Sequence, residues 1–219
     1  MKPLISVVVP TYRRAELLDR CLAALAKQHL PGSAFEIIVV HDGPSARTQR
    51  VAAHWRRQLG PSGPAIRYRS PRHLGPAAAR NAGWRIARAE IVAFTDDDTE
   101  PDPQWLSRAL EGFCDVGVGA AWGRIVMPLS GEPTDYELDA AGLTRAEFAT
   151  ANCFCRTTAL RAIGGFDERF EIAWREDSDL FFRLLEHGAR VVHLTDAAVL
   201  HPIRRAPWGV SISQQKKIL

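Results

Sequence analysis

Lysine is nearly missing from this chain. Of its 28 basic residues only Lys2, Lys27, Lys216 and Lys217 are lysines, so none stands between positions 27 and 216. A mechanism that relies on a lysine from the middle of the fold has no residue to use. Cysteine is also scarce: Cys21, Cys114, Cys153 and Cys155 include one C-x-C and no second pair, which excludes a zinc site of the usual spacing and leaves reduced thiols as the expectation. No apolar run approaches membrane-spanning length and no signal-peptide pattern is present, which predicts a cytoplasmic protein. The formal net charge is only +3, too small a basic excess to predict nucleic-acid binding. Repeats, low-complexity segments and linkers are absent as well. At 219 residues with a 46% hydrophobic share, the chain reads as one domain, residues 1–219, able to bury a substantial core.

What is present alternates. Leu4 to Pro10 is a continuous β-branched run stopped by proline, the pattern of a strand buried on both faces. Leu17, Leu18, Cys21, Leu22 and Leu25 then recur at helical spacing between Ala15 and Gln28. A second strand is predicted over Phe35 to Val40, a helix over Ala46 to Leu59, a short strand at "AIRYR", and an alanine-rich helix from Gly75-Pro76 to about Ala87. "EIVAFT" is the fourth strand. Further on, Val116 to Val126 reads as a strand and Pro128 to Leu143 as loop. "FCRTTALRAIGGFDERF" reads as a helix closed by Gly164-Gly165, "REDSDLFFRLLEHG" as a helix ended by Gly188, and "ARVVHLTDAAVLHP" as a last strand. Strands alternating with helices predict an α/β fold with a mostly parallel central sheet flanked by helices. In such sheets ligands bind beyond the carboxyl ends of the strands.

Three of those ends are polar: "PTYRR", "HDGPS" and "TDDDTEPD". The last sets Asp96, Asp97 and Asp98 side by side, where like charges repel. A solvated turn accounts for them, since Asp favours turns and Pro101 and Pro103 mark a loop. A divalent cation accounts for them too. On an extended segment Asp96 and Asp98 would project to one side with Asp97 opposite. Mg²⁺ or Mn²⁺ usually takes one or two carboxylates together with substrate phosphates.

The pieces "SVVVPTYRR", "IIVVHDGPS", "GPAAARNAG", "IVAFTDDDTEPDPQWL", "GGFDERF" and "WREDSDLFFRL" follow one another in this order. In that order the chain resembles the family 2 glycosyltransferases, inverting enzymes of the GT-A, Rossmann-like fold, over nearly its whole length. The resemblance implies a nucleotide-sugar donor, with UDP the expected nucleotide, a divalent metal (Mn²⁺ or Mg²⁺), and a hydroxyl acceptor such as a glycan or lipid-linked glycan. It implies a nucleotide-binding half over residues 1–126 and an acceptor half over 127–219. Pro10, Thr11 and Tyr12 would lie along the nucleotide, Asp42 on the base and Arg80 nearby. Asp96 and Asp98 would be the outer residues of the D-x-D motif around Asp97, with Asp98 the first choice for the direct metal ligand. Glu176-Asp177 would be the "ED" pair, Asp177 the general base, and His201 a late metal-binding histidine. The chain departs from the family at His41-Asp42-Gly43-Pro44, often "DDGS", and at Arg175, often glycine. Few residues follow His201, so the acceptor-side C-terminal region is expected to be only partly present.

Each residue also has a plainer reading. Acids in the first turn of a helix complement its dipole, Arg80 suits an amphipathic helix surface, and a single histidine near a strand end is commonly structural. Trp174 and Phe166 suit either an acceptor pocket or the core. Two rival functions are weaker. "VAFTDDDTE" comes close to the D-x-D-x-T of haloacid-dehalogenase-like phosphatases, but the missing lysine argues against that chemistry. A non-catalytic nucleotide-sugar-binding protein of the same fold would have no need of two acidic clusters. The tail groups Arg204, Arg205, Trp208, Lys216 and Lys217, a combination suited to peripheral contact with an anionic membrane and equally to a frayed terminus.

Overall fold

The structure, a computed structural model, describes residues 2–72, 75–129 and 131–203. Its centre is one eight-stranded sheet: β1 (Ile5–Thr11), β2 (Phe35–His41), β3 (Ala65–Arg69), β4 (Ile91–Phe94), β5 (Glu100–Pro101), β6 (Val118–Val126), β7 (Cys153–Arg156) and β8 (Arg190–Leu200), in the order β3-β2-β1-β4-β7-β6-β8-β5. β3, β2, β1 and β4 run parallel. β7 then inserts antiparallel between β4 and β6, while β6 pairs parallel with β8. The expected parallel sheet therefore holds for the first four strands and becomes mixed beyond them. The basic tail from Arg204 lies outside the described residues. Among the described residues, no helix is long and apolar enough to cross a membrane.

Alternating side chains of β1 serve two cores. Ile5, Val7 and Val9 pack with Leu18, Leu22 and Leu25 of α1 (Ala15–Leu25), Ala52 of α2 (Ala46–Leu59) and Trp105, Leu106 and Ala109 of α4 (Trp105–Gly112). Val8 packs on the other face with Ala77 and Ala79 of α3 (Pro76–Trp84), Leu160 of α6 (Thr157–Ile163) and Leu180 and Leu184 of α7 (Glu176–Glu186). Period-two alternation with both faces covered explains why β1 and β2 show unbroken apolar runs.

Three expectations need correcting. The segment read as a helix from Phe154 opens with β7, because its C-F-C-R stretch finds β4 as a partner and only then turns into α6. The segment read as loop contains α5 (Asp135–Ala140), started by a reciprocal capping box between Thr134 and Glu137. The alanine-rich helix stops at Trp84 rather than near Ala87.

Candidate active site

Parallel pairing sets the carboxyl ends of β1, β2 and β4 along one edge, with Thr11 beside His41 and Thr95 N–H bonded to the Val8 carbonyl. Beyond that edge lies a pocket of about 250 Å³ walled by Pro10, Thr11, Tyr12, Asp42, Arg80, Asp96 and Asp97. Every residue read from the sequence as nucleotide-binding is on that wall. Arg14, Gly75 and Glu171 line it too and were not singled out beforehand. A second pocket of about 970 Å³ adjoins it, sharing Arg14, Glu171 and Ala173 and adding Tyr136, Phe170 and Trp174. Trp174 thus stands at a pocket, whereas Phe166 is core, edge-on to Phe94 at 5.2 Å.

The three aspartates do not lie on an extended segment. β4 ends at Phe94, Asp97 and Asp98 form a turn, and the Thr99 N–H closes back on the Asp96 carbonyl. Asp96 consequently faces Arg80, whereas Asp97 and Asp98 share Arg14. Asp96 Oδ1 accepts from Arg80 Nη2 at 2.8 Å. Asp97, nearly buried, accepts from the Thr11 hydroxyl at 2.6 Å and from Arg14 at 3.4 Å. Asp98 Oδ2 lies 3.7 Å from Arg14 Nη1, and its Oδ1 lies 3.6 Å from His201 Nε2. Three adjacent acids are tolerable because the turn spreads them and cations stand opposite them.

Asp42 Oδ2 accepts from the Gly75 N–H at 3.0 Å, joining the end of β2 to the start of α3. Gly75 has φ 92°, and a Cβ there would meet the Glu171 carbonyl oxygen at 2.4 Å, so the position suits only glycine. His41, at the departure from "DDGS", closes the loop: its Nε2 accepts from the Arg13 N–H at 3.1 Å, which leaves Nδ1 to donate to the Gly43 carbonyl.

Arg80 is the hub between the acidic clusters. Its guanidinium is buried, with Nη1 donating to Glu176 Oε1 at 2.9 Å while Nη2 holds Asp96. It also lies 5.8 Å from the centre of the Phe166 ring. Glu176 is buried at the first position of α7, and burial lifts its carboxyl above the ordinary range, with Arg80 opposing and Asp177 adding to the rise. Asp177 is half-buried; its Oδ1 accepts from the Ser178 N–H at 2.8 Å. Burial pushes the Cys153 thiol well above its usual value, with the neighbouring Cys155 adding to the rise and Arg80 opposing it. The sequence-predicted residues therefore form three linked sets: the strand-end pocket wall, the Asp98–His201 pair, and Glu176-Asp177 reached through Arg80. Among the described residues, no three His, Cys, Asp or Glu side chains are grouped to hold a metal ion.

The chain has relatives among known proteins. A pre-mycofactocin glycosyltransferase of Mycobacterium tuberculosis (strain CDC 1551 / Oshkosh) is 32% identical over 218 residues, covering 91% of this chain and 43% of the relative. The mannosyltransferase PcManGT from Pyrobaculum calidifontis, solved in complex with GDP-Man and Mn²⁺, matches with a TM-score of 0.75 and 22% identity over 98% of this chain and 61% of that one. S. aureus TarS 1-349, solved with UDP-GlcNAc, matches with a TM-score of 0.74 and 22% identity over 94% of this chain and 60% of that one. At such identities the two structures speak for the shared fold, the GT-A architecture. The chain spans less than two thirds of the length of each of these three. The model for "Glycosyl transferase family 2" matches residues 6–169, which removes the phosphatase reading of the aspartates. With about three quarters of its length matched in this way, the chain belongs to glycosyl transferase family 2.

Proposed function

We propose that this protein transfers a sugar from a nucleotide-diphosphate donor, a UDP-sugar first among them, to a hydroxyl acceptor with inversion at the anomeric carbon. The observation that carries this reading is the Asp96–Arg80–Glu176 link, buried at Arg80 and Glu176, which joins the strand-end pocket to the start of the helix bearing Asp177. Residues 1–126 form the donor half and 127–219 the acceptor half. Pro10, Thr11 and Tyr12 flank the nucleotide, and Asp42 accepts a hydrogen bond from the base. Asp177 takes the proton from the acceptor hydroxyl as it attacks, on the side opposite the departing diphosphate. The aromatic faces of Tyr136, Phe170 and Trp174 suit the rings of a glycan or lipid-linked glycan acceptor in the adjoining pocket.

The residues present fit a divalent cation. Asp98 Oδ1 and His201 Nε2 are 3.6 Å apart, too far for a hydrogen bond and close enough for both to face one ion. His201 Nδ1 is buried with no hydrogen-bond partner among the described residues. A single carboxylate and one imidazole leave room for donor phosphates, the usual habit of Mg²⁺ and Mn²⁺. Asp98 and His201 would hold the cation, which when bound stabilises the charge developing on the leaving diphosphate.

The test is a thermal-shift panel of UDP-, GDP-, dTDP- and CMP-sugars with Mn²⁺, then with EDTA, followed by turnover of any donor that binds. Asp177→Asn should lower turnover by about 10²- to 10⁴-fold while leaving UDP affinity nearly unchanged. Turnover within a few-fold of wild type would sink Asp177 as the base. A protein that binds a donor yet neither transfers nor hydrolyses its sugar would instead be the non-catalytic binder.

A further inference from the structure

Two consecutive residues of α3 grip both ends of the segment that leads to Asp177. Asn81 holds the beginning. Its Nδ2 donates to the Phe166 carbonyl and to Glu168 Oε1, each at 2.8 Å, and its Oδ1 accepts from the Phe166 N–H at 3.0 Å and the Trp84 indole at 2.7 Å. Those four bonds use both amide hydrogens and both carbonyl lone pairs. Arg80 holds the end through Glu176. Between the two grips the chain runs exposed from Glu171 to Arg175 and passes Gly75, just before α3, where only a glycine lets Glu171 approach.

Resting on the reading of Asp177 as the base, the geometry points to Arg80 and Glu176 as positioning residues: a buried strut that sets where Asp177 stands relative to the strand-end aspartates. The Glu176 side chain is only 4% exposed and faces Arg80, so it meets an acceptor hydroxyl only by breaking that pair. Asp177, about 100° further round the helix, is turned to a more open side. Deleting one member of the strut strands a buried charge and releases the first turn of α7. A base displaced by an ångström loses up to about 100-fold in rate. Glutamine at 176 still offers a carbonyl to Arg80 and can replace the carboxylate as a strut, but it cannot take a proton.

The experiment compares Glu176→Gln, Glu176→Ala, Arg80→Lys and Asp177→Asn by kcat, donor KM, the pH profile of kcat, and UDP affinity by calorimetry. Glu176→Gln is expected to keep turnover within about fivefold of wild type with the same pH profile, whereas Glu176→Ala loses up to about 100-fold in kcat with donor KM little changed. If Glu176→Gln is as damaged as Asp177→Asn, Glu176 takes part in proton transfer and the strut is overturned while a base on this helix survives. If Glu176→Ala keeps its kcat, the strut is overturned as well. If Asp177→Asn stays active, the base assignment fails and the strut falls with it. Should Glu176→Ala not fold, Arg80→Lys decides: one ammonium cannot span both carboxylates as the forked guanidinium does, so kcat should drop with UDP affinity retained. Wild-type kcat in Arg80→Lys overturns the proposal, and so does a tenfold loss of UDP affinity, which would return Arg80 to the donor.

Discussion

Replacing Asn81 with leucine keeps the size of the side chain and removes all four of its hydrogen bonds. Glu168 retains Arg85 at 2.9 Å and is partly exposed, so it recovers. The Phe166 N–H, the Phe166 carbonyl and the Trp84 indole N–H lose their partner in a buried setting. A stranded buried polar group costs about 1–3 kcal/mol. Allowing for partial relaxation, the loss should be about 3–5 kcal/mol, a large share of the roughly 5–15 kcal/mol that typically holds a domain together. Urea unfolding followed by far-UV circular dichroism measures it, with an unchanged m-value showing that the unfolded state is the same. Trp84→Phe provides an internal control, because it removes the indole donor that the leucine variant strands. The double variant should be less damaged than the two losses added, by about 1 kcal/mol. A loss below about 1 kcal/mol in Asn81→Leu, or strict additivity, would refute the reasoning that the amide is saturated and buried.

Glu36 is buried against Ser6, Arg67 and Arg88. Burial disfavours its charge, but the Arg88 N–H, the Ser6 hydroxyl and the Arg88 guanidinium outweigh that and hold its carboxyl below the ordinary 4.5. Its contribution to stability is therefore full above the unfolded value and lost as pH falls through the folded one, so Glu36→Gln should flatten the acid limb of stability against pH. Arg13 sits at φ 55°, where asparagine is better tolerated; Arg13→Asn should raise stability by about 0.5–1 kcal/mol in the same urea assay. Cys114 is exposed while burial covers Cys21, Cys153 and Cys155, so a thiol reagent should titrate one cysteine in the native protein and four in denaturant. Removing divalent cations with EDTA should weaken UDP binding measured by calorimetry, and Asp98→Asn should make that binding insensitive to EDTA.

Much of this was legible in the sequence where local pattern decides the outcome. The unbroken runs of β1 and β2, the stop at Gly188 and the clustering of strand-end polar residues needed no partner to be seen. What escaped depends on residues far apart. β7 is four residues long and buried, so its identity as a strand comes from pairing with β4 rather than from any alternation of its own. Arg80 read as a residue near the nucleotide or on a helix surface, and its role as a link to Glu176 was not visible because its partners stand 16 and 96 residues further along. The aspartate run misled through its backbone: a strand continued from Phe94 to Asp98 would place Asp96 and Asp98 on one side, but the turn at Asp97 and Asp98 ends it and sets the middle carboxylate against Thr11. The capping box at Thr134 and Glu137 was a local signal, and its T-x-x-E spacing announces α5 to a reader who looks for it.

The insertion of β7 between the two parts of the sheet also bears on how the chain is made. Until Cys153–Arg156 emerge from the ribosome, Ile91–Phe94 has one open, wholly apolar edge. About sixty residues separate these segments, and synthesis at roughly 5–20 residues per second leaves that edge uncovered for about 3–12 s. An unpaired apolar edge is a template for wrong pairing. The hazard for this protein in a cell therefore falls during translation, and synonymous changes that slow the ribosome between β4 and β7 should lower soluble yield without altering a single residue of the chain.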